Sequence, residues 1–527
     1  VYQQMEQRLT AIEKHQLHAA LRESRTGLEK ESLRVTSEGT LAQTDHPKVL
    51  GSALTHPWIT TDYSESLIEL ITPPQARAPE ALDVLLDIET FVYQHLDHEL
   101  LWTTSMPCVL HGEDDIRIAE YGSSNAGLMK HVYRQGLAWR YGKTMQVIAG
   151  IHFNYSIAES FWEPWQQVEE HRGSLRDFRD EQYMALTRNL LRNGWLIIYL
   201  FGTSPAICKS FLGGRKAPET MLELNEYTLY EPYGTSLRMG NIGYTNSKEN
   251  ASGVQVCYDS VQSYTHSLWK AIHRPSPEYE KIGVKVDGVY RQLNTNILQI
   301  ENEYYSTVRP KQPLQRFEKP VHALQERGIK YIELRSVDIN AFHPAGLTHD
   351  QLRFLEVFMH FCLFQASPKI DATERQMINS NQMLVAHQGR KPDLMLQQPE
   401  RAISLQAWGL ELLEQMLKVA DLLDAVHKEN HYHQAVKQQI ELVLNPELTP
   451  SAQMMAEMHE KGASFFSFAQ SKSAQHRDFF LERQLSQERK AEFIQMAKES
   501  LEQQQDIEKS DQIGFDQFLH AYFAEEL

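Results

Sequence analysis

The chain of 527 residues is 42% hydrophobic and 23% charged, enough apolar material for a large buried core in a soluble globular protein. Its net charge of −17, with no basic block to offset it, argues against a nucleic-acid-binding surface and leaves any anionic ligand to locally gathered arginines. Cys108, Cys208, Cys257 and Cys362 are widely separated and form no C-x-x-C pair, which excludes a disulfide scaffold or zinc ribbon and points to reduced thiols in a cytoplasmic protein.

The N-terminal "VYQQMEQRLTAIEKH" reads as an amphipathic helix with Met5, Leu9 and Ile12 on one face, and lacks the apolar core of a signal peptide. Next comes "GLEKESLRV", residues 27–35, a strand pattern with Glu29 and Glu31 on the same face. Their Cα atoms are roughly 6.6 Å apart at a rise of about 3.3 Å per residue. Two like charges at that distance repel by about 2.5 kcal/mol at an effective dielectric of about 20. A solvated strand edge explains such a pair, and so does a cation site, since Mg2+ takes oxygen ligands. The pair alone does not decide.

Asp62 in "TTDYSES" lies just before the strand "SLIELITP", where Leu67, Glu69 and Ile71 share a face. In "GIHFNYS", Ile151, Phe153 and Tyr155 form an apolar face and His152 and Asn154 the other. The apolar run "GWLIIYLFGTSPAIC" is cut by Gly202, Thr203, Ser204 and Pro205 before it reaches membrane-spanning length. "FLGGRKAPET" has adjacent glycines without the spacing of a phosphate-binding loop. In "GIKYIELRSVDIN", Glu333 and Arg335 share a face with Tyr331. Beyond residue 345 the pattern is helical, with Leu405, Trp408, Leu412, Met416, Val419, Leu423 and Val426 on one helix face. The late charged helices from Gln484 onward read as packing and solvated surface. The chain therefore divides into a mixed core, residues 1–345, and a mostly helical region, residues 346–527, expected to pack on it as one unit.

Each strand pairs a face ready to pack on helices with a face bearing acid, imidazole or guanidinium. Singly, these residues have ordinary explanations: His152 as a satisfied core histidine, Glu333 and Arg335 as cross-strand ion pairs. Together, Glu29, Glu31, Glu69 and Glu333 on half-apolar strands are costly to bury without neutralisation, which metal ions would supply.

At this point nine segments resemble the glutamate–cysteine ligases of the bacterial type. They are "GLEKESLRV", "GSALTHPWITTDYSESLIELITP", "LWTTSMPC", "YGSSNAGLMKHVYRQGLAWRYG", "MQVIAGIHFNYS", "YLFGTSPAIC", "PYGTSLRMGNIGYTN", "LQIENEYYSTVRPK" and "GIKYIELRSVDINAF". They are collinear with the family to about residue 400. The resemblance implies an α+β, glutamine-synthetase-like fold: a curved, largely antiparallel sheet whose concave face holds the site, helices packed outside, and a mostly helical C-terminal part.

The resemblance further implies Mg2+ (or Mn2+) ligands at Glu29, Glu31, Asp62, Glu69, His152 and Glu333, and Arg335 and Glu333 at the transferred phosphate. Arg238 matches a substrate-pocket arginine. Tyr133, Arg134, Leu137, Gln146, Ile148, Tyr244 and Tyr305 match positions around the cysteine. The implied substrates are glutamate, cysteine and ATP, with no nucleic acid or membrane partner, and glutathione as a feedback inhibitor. "ERQMINSNQMLVAHQGRKPDLMLQQPERAI" contains no cysteine, so thiol-based redox control in that region is not carried over. The alternatives are a glutamate–amine ligase with another acceptor, a nucleotide sensor that kept the fold, and a metal-dependent phosphohydrolase.

Overall fold

A computed structural model describes residues 2–107, 109–242 and 255–526. Its centre is a seven-stranded sheet built from β1 (Arg25–Val35), β2 (Ile59–Thr61), β3 (Leu67–Ile71), β4 (Leu100–Leu101), β5 (Ile151–Ser156), β6 (Val308–Lys311) and β7 (Tyr331–Val337). The order is β6-β7-β5-β1-β3-β2, with β4 on the far end of β1, and every pairing is antiparallel. The 11-residue β1 holds the sheet together because it pairs with β3, β4 and β5.

Register decides which side chains meet. Glu31 lies opposite Glu69, Glu29 opposite His152, and Glu333 opposite Asn154. Period 2 sends Leu28, Lys30, Phe153, Tyr155, Ile332 and Leu334 to the other face, where all are buried. There the sheet packs on α1 (Ala78–Tyr93), α2 (Leu175–Asn193) and α3 (His349–Phe364). Lys30 is stabilised in that layer by Glu89 of α1 at 2.7 Å, so the lysine between the two acids belongs to the core. Strict alternation fails at one point. Leu334 pairs with Phe153 and Val337 with Ile151, so β7 carries one extra residue around Arg335 and Ser336. Such bulges re-aim side chains and are common beside active sites.

A second wall faces the acidic side of the sheet: α4 (Asn125–Tyr141), started by the Ser124 hydroxyl accepting from the Gly127 N–H and ended at Gly142 with φ 83°. The chain beyond residue 345 continues through α5 (Leu405–His427), α6 (His431–Leu444), α7 (Phe465–Glu482), α8 (Gln487–Ser510) and α9 (Phe515–Phe523). One continuous hydrophobic cluster runs from Met5 through the sheet to Phe493 of α8. A smaller one joins Val132 of α4 and Leu293 to Phe518 and Leu519 of α9. Cys208, Cys257 and Cys362 are free thiols, and Cys108 lies outside the described residues. No helix among the described residues is long and apolar enough to cross a membrane.

Candidate active site

The acidic face of the sheet and α4 enclose a cavity of about 650 Å³. Glu29, Glu31, Asp62, Glu69, His152 and Glu333 all reach it. His152 is the hub. Its Nδ1 lies 2.9 Å from Glu29 and 4.0 Å from Glu333, and its Nε2 lies 3.8 Å from Glu31. Two three-residue groupings result, Glu29–His152–Glu333 and Glu31–Glu69–His152, each with ligand atoms within 4.8 Å of one another. Asp62 lines the cavity beside them but belongs to neither grouping. The Asn154 amide donates to Glu29 at 2.8 Å and the Gly150 N–H to Glu31 at 2.8 Å, which fixes both carboxylates on the central strand.

The four acids divide by their surroundings. Burial raises the Glu29 carboxyl, but the His152 hydrogen bond, together with the charges of His152 and Lys311, holds it below its ordinary value. Burial also opposes ionisation of Glu333, yet Lys311 at 3.3 Å and Arg335 at 3.3 Å hold it well below. Glu31 and Glu69 are pushed up, Glu69 far up, by burial first and then by neighbouring acids. Like charges directly opposite on a ladder destabilise a sheet. The positive groups near the Glu31–Glu69 pair therefore fall short of neutralising it, and a hard cation held by oxygen ligands would supply the difference.

Guanidinium groups occupy the other side. Arg335 is held firmly charged: burial opposes the charge, and Glu333 and Glu31 outweigh it. Arg238 donates to the Arg335 carbonyl at 2.7 Å and lies 3.5 Å from Asp338. Asp338 also accepts from the Thr203 N–H, the Ser204 hydroxyl and the Ser236 hydroxyl at 2.9, 2.6 and 3.0 Å. A Cβ at Gly150 would come 2.0 Å from Arg238, so glycine lets this arginine pass close to the start of β5 on the cavity side. Nε of Arg238, Nε of Arg335 and Oδ1 of Asn154 are buried without a hydrogen-bond partner among the described residues. Two of them belong to arginines that line the cavity, which suits a polar ligand.

The sequence expectations meet this geometry unevenly. Tyr133, Arg134 and Leu137 project from α4 into the cavity, joined by Gln146, Arg238 and Tyr305. Ile148 is fully buried and is not part of the lining. Tyr244 lies outside the described residues. Sequence reasoning missed Arg309 and Lys311, although "VRPK" places them two apart on one face of β6. It also missed Phe317 and Tyr522, and the latter comes from a helix read as packing alone.

The family model for glutamate–cysteine ligase matches residues 9–385. The chain belongs to the glutamate–cysteine ligase family. It is 45% identical over 524 residues to the glutamate–cysteine ligase of Alcanivorax borkumensis, covering 98% of this chain and 99% of that one. It is 47% identical over 498 residues to the glutamate–cysteine ligase of Pseudomonas aeruginosa, covering 94% of each. The crystal structure of a glutamate–cysteine ligase from Francisella tularensis in complex with AMP superimposes with a TM-score of 0.89 at 34% identity, covering 95% of this chain and 98% of that one. Membership makes this chain a ligase enzyme and agrees with the mixed fold described above, an antiparallel sheet with helices and a helical C-terminal part.

Proposed function

We propose that the enzyme joins the side-chain carboxylate of glutamate to the amine of cysteine at the expense of ATP, through γ-glutamyl phosphate, giving γ-glutamylcysteine, ADP and phosphate. This is the first step of glutathione biosynthesis. The observation that supports it best is the pairing of two carboxylate–imidazole groupings with Arg335, Lys311 and Arg309 in one cavity, on a chain of this family. The AMP bound to the Francisella relative supports an adenine nucleotide as co-substrate.

A carboxylate acylates no amine unaided, because oxide is too poor a leaving group. Moving the γ-phosphoryl group of ATP onto it makes phosphate the leaving group, and that transfer is mostly alignment and charge neutralisation. The Glu29–His152–Glu333 and Glu31–Glu69–His152 groupings suit Mg2+ or Mn2+, which when bound would neutralise phosphate charge. Asp62 would assist from the adjoining wall. Arg335 can meet a carboxylate or phosphate with two parallel donors, and Glu333 holds that planar group in place. Arg238, braced by Asp338, lines the same space. Burial pushes the phenol of Tyr305 up, so it stays a hydroxyl that can donate to the acceptor's carboxylate while its ring lies beside the thiol.

Two measurements test this reading. ADP release should require both amino acids. Release without cysteine identifies a phosphohydrolase, and release with another amine identifies the alternative, a glutamate–amine ligase of different acceptor. Glutamate labelled with heavy oxygen in its side-chain carboxylate should deliver one labelled oxygen to each phosphate formed. Label in AMP, with pyrophosphate released, would identify an adenylate and overturn the mechanism.

A further inference from the structure

We propose that Phe317 and Tyr522 seat the base of the nucleotide, so that the C-terminal helix α9 is a wall of the active site. The inference rests on the ATP-dependent reading above. The cavity runs along α4, where Met129, Tyr133, Leu137 and Tyr141 face it on successive turns. From Met129 to Tyr141 the helix rises about 18 Å at 1.5 Å per residue. Arg134, mid-way, donates to the carbonyl oxygen of Asp62 and ties the acidic cluster to the centre of this run.

The two ends differ in chemistry. Toward the C-terminal end of α4, Gln146, Arg238 and Tyr305 present polar groups scaled to an amino acid. Toward the N-terminal end, the apolar lining is Met129, Ile300, Phe317 and Tyr522, packed against or next to the smaller hydrophobic cluster, with Lys130 and Glu318 at its margin. Glutamate and cysteine carry no flat apolar part. A nucleobase does, and every base has a face that stacks on an aromatic ring.

Phe317 supplies an independent sign. Its backbone sits at φ 60°, the left-handed region that bulky residues avoid. Such conformations persist only where the surroundings hold them, and they concentrate at ligand sites. What holds this one is α9. The ring of Phe317 meets that of Phe518 edge-on, with centroids 5.2 Å apart. Lys319, two residues on, pairs with Glu525 at 2.8 Å and lies 5.7 Å from the ring centre of Tyr522. At its start α9 is pinned by Asp516 to Lys285 at 2.8 Å. The helix thus fixes two aromatic rings at the cavity end opposite the amino-acid groups.

The test compares wild type with Phe317→Leu, Tyr522→Leu and the double variant, with thermal unfolding as a check on folding. The KM for ATP should rise about five-fold or more in each, from the range of base–aromatic stacking energies. The values for glutamate and cysteine and kcat should stay within about two-fold, and the preference for ATP over UTP should narrow. An unchanged KM for ATP, or an equal loss for all three substrates, overturns the proposal. Should the leucine variants not fold, wild-type enzyme decides with 2-aminopurine riboside triphosphate: a stacked base loses its fluorescence on binding, and undiminished fluorescence of the bound probe sinks the seat. Failure of the wild type to need ATP would fall on the function reading instead.

Discussion

Glu69 faces Glu31 across the ladder, with Glu29 and Asp62 also acting on it, and its carboxyl lies well above the ordinary range because of burial and those charges. A side chain so placed opposes the fold when no cation is present and serves it when one is bound. Glu69→Gln keeps the shape and removes the charge. Activity should fall by orders of magnitude, while the thermal midpoint measured in EDTA should stay equal or rise. The upward shift that Mg2+ gives the wild type should shrink in the variant. A variant that loses stability in EDTA while keeping its Mg2+ shift would remove Glu69 from the ligand set. Gly150→Ala addresses the same site from the start of β5: its new methyl meets Arg238, so turnover should drop without unfolding.

The helix that lines the cavity most extensively is α4, and a buried ion pair helps to anchor it. Arg140 lies 2.8 Å from Glu303, donates to Gln292 at 2.9 Å, and neither charged group is exposed. Removing one member of such a pair strands the other charge, at a cost of about 3–5 kcal/mol. Arg140→Met should lower the urea midpoint accordingly, and a loss under 1 kcal/mol would mean that water reaches Glu303. The strands around this helix were legible because period 2 repeated itself: Glu29 and Glu31, Glu69 and Ile71, His152 and Asn154 each fell on one face. The bulge at Arg335 and Ser336 was not legible, since an extra residue leaves no mark in alternation until a partner strand exists. The place of α9 was hidden for a related reason. Phe515, Phe518 and Tyr522 form an apolar face that predicts packing, but only the tertiary fold shows that the partners are Val132 and Phe317 at a cavity mouth.

At the scale of the molecule, one buried carboxyl bridges the sheet and the C-terminal helices within their shared apolar core. Glu356 of α3 accepts from Tyr155 of β5 at 2.9 Å and from Tyr432 of α6 at 2.7 Å. Tyr155 also contacts His360 at 2.8 Å, so strand and helices share one polar knot behind the acidic face of the sheet. Burial raises the Glu356 carboxyl from 4.5 to about 7 against the lowering by the two tyrosine hydroxyls. The sign follows from linkage. A folded-state value above the unfolded one means that the folded protein binds the proton more tightly. The contribution is full below pH 4.5 and is lost as pH rises through about 7. Two and a half units correspond to about 3 kcal/mol. Glu356→Gln carries no titration, so its stability relative to wild type should improve by that order between pH 4.5 and 8, measured by urea unfolding at each pH. A difference that stays flat across this range would mean that Glu356 is ionised in the folded protein at pH 5, with its charge met by the two phenols alone.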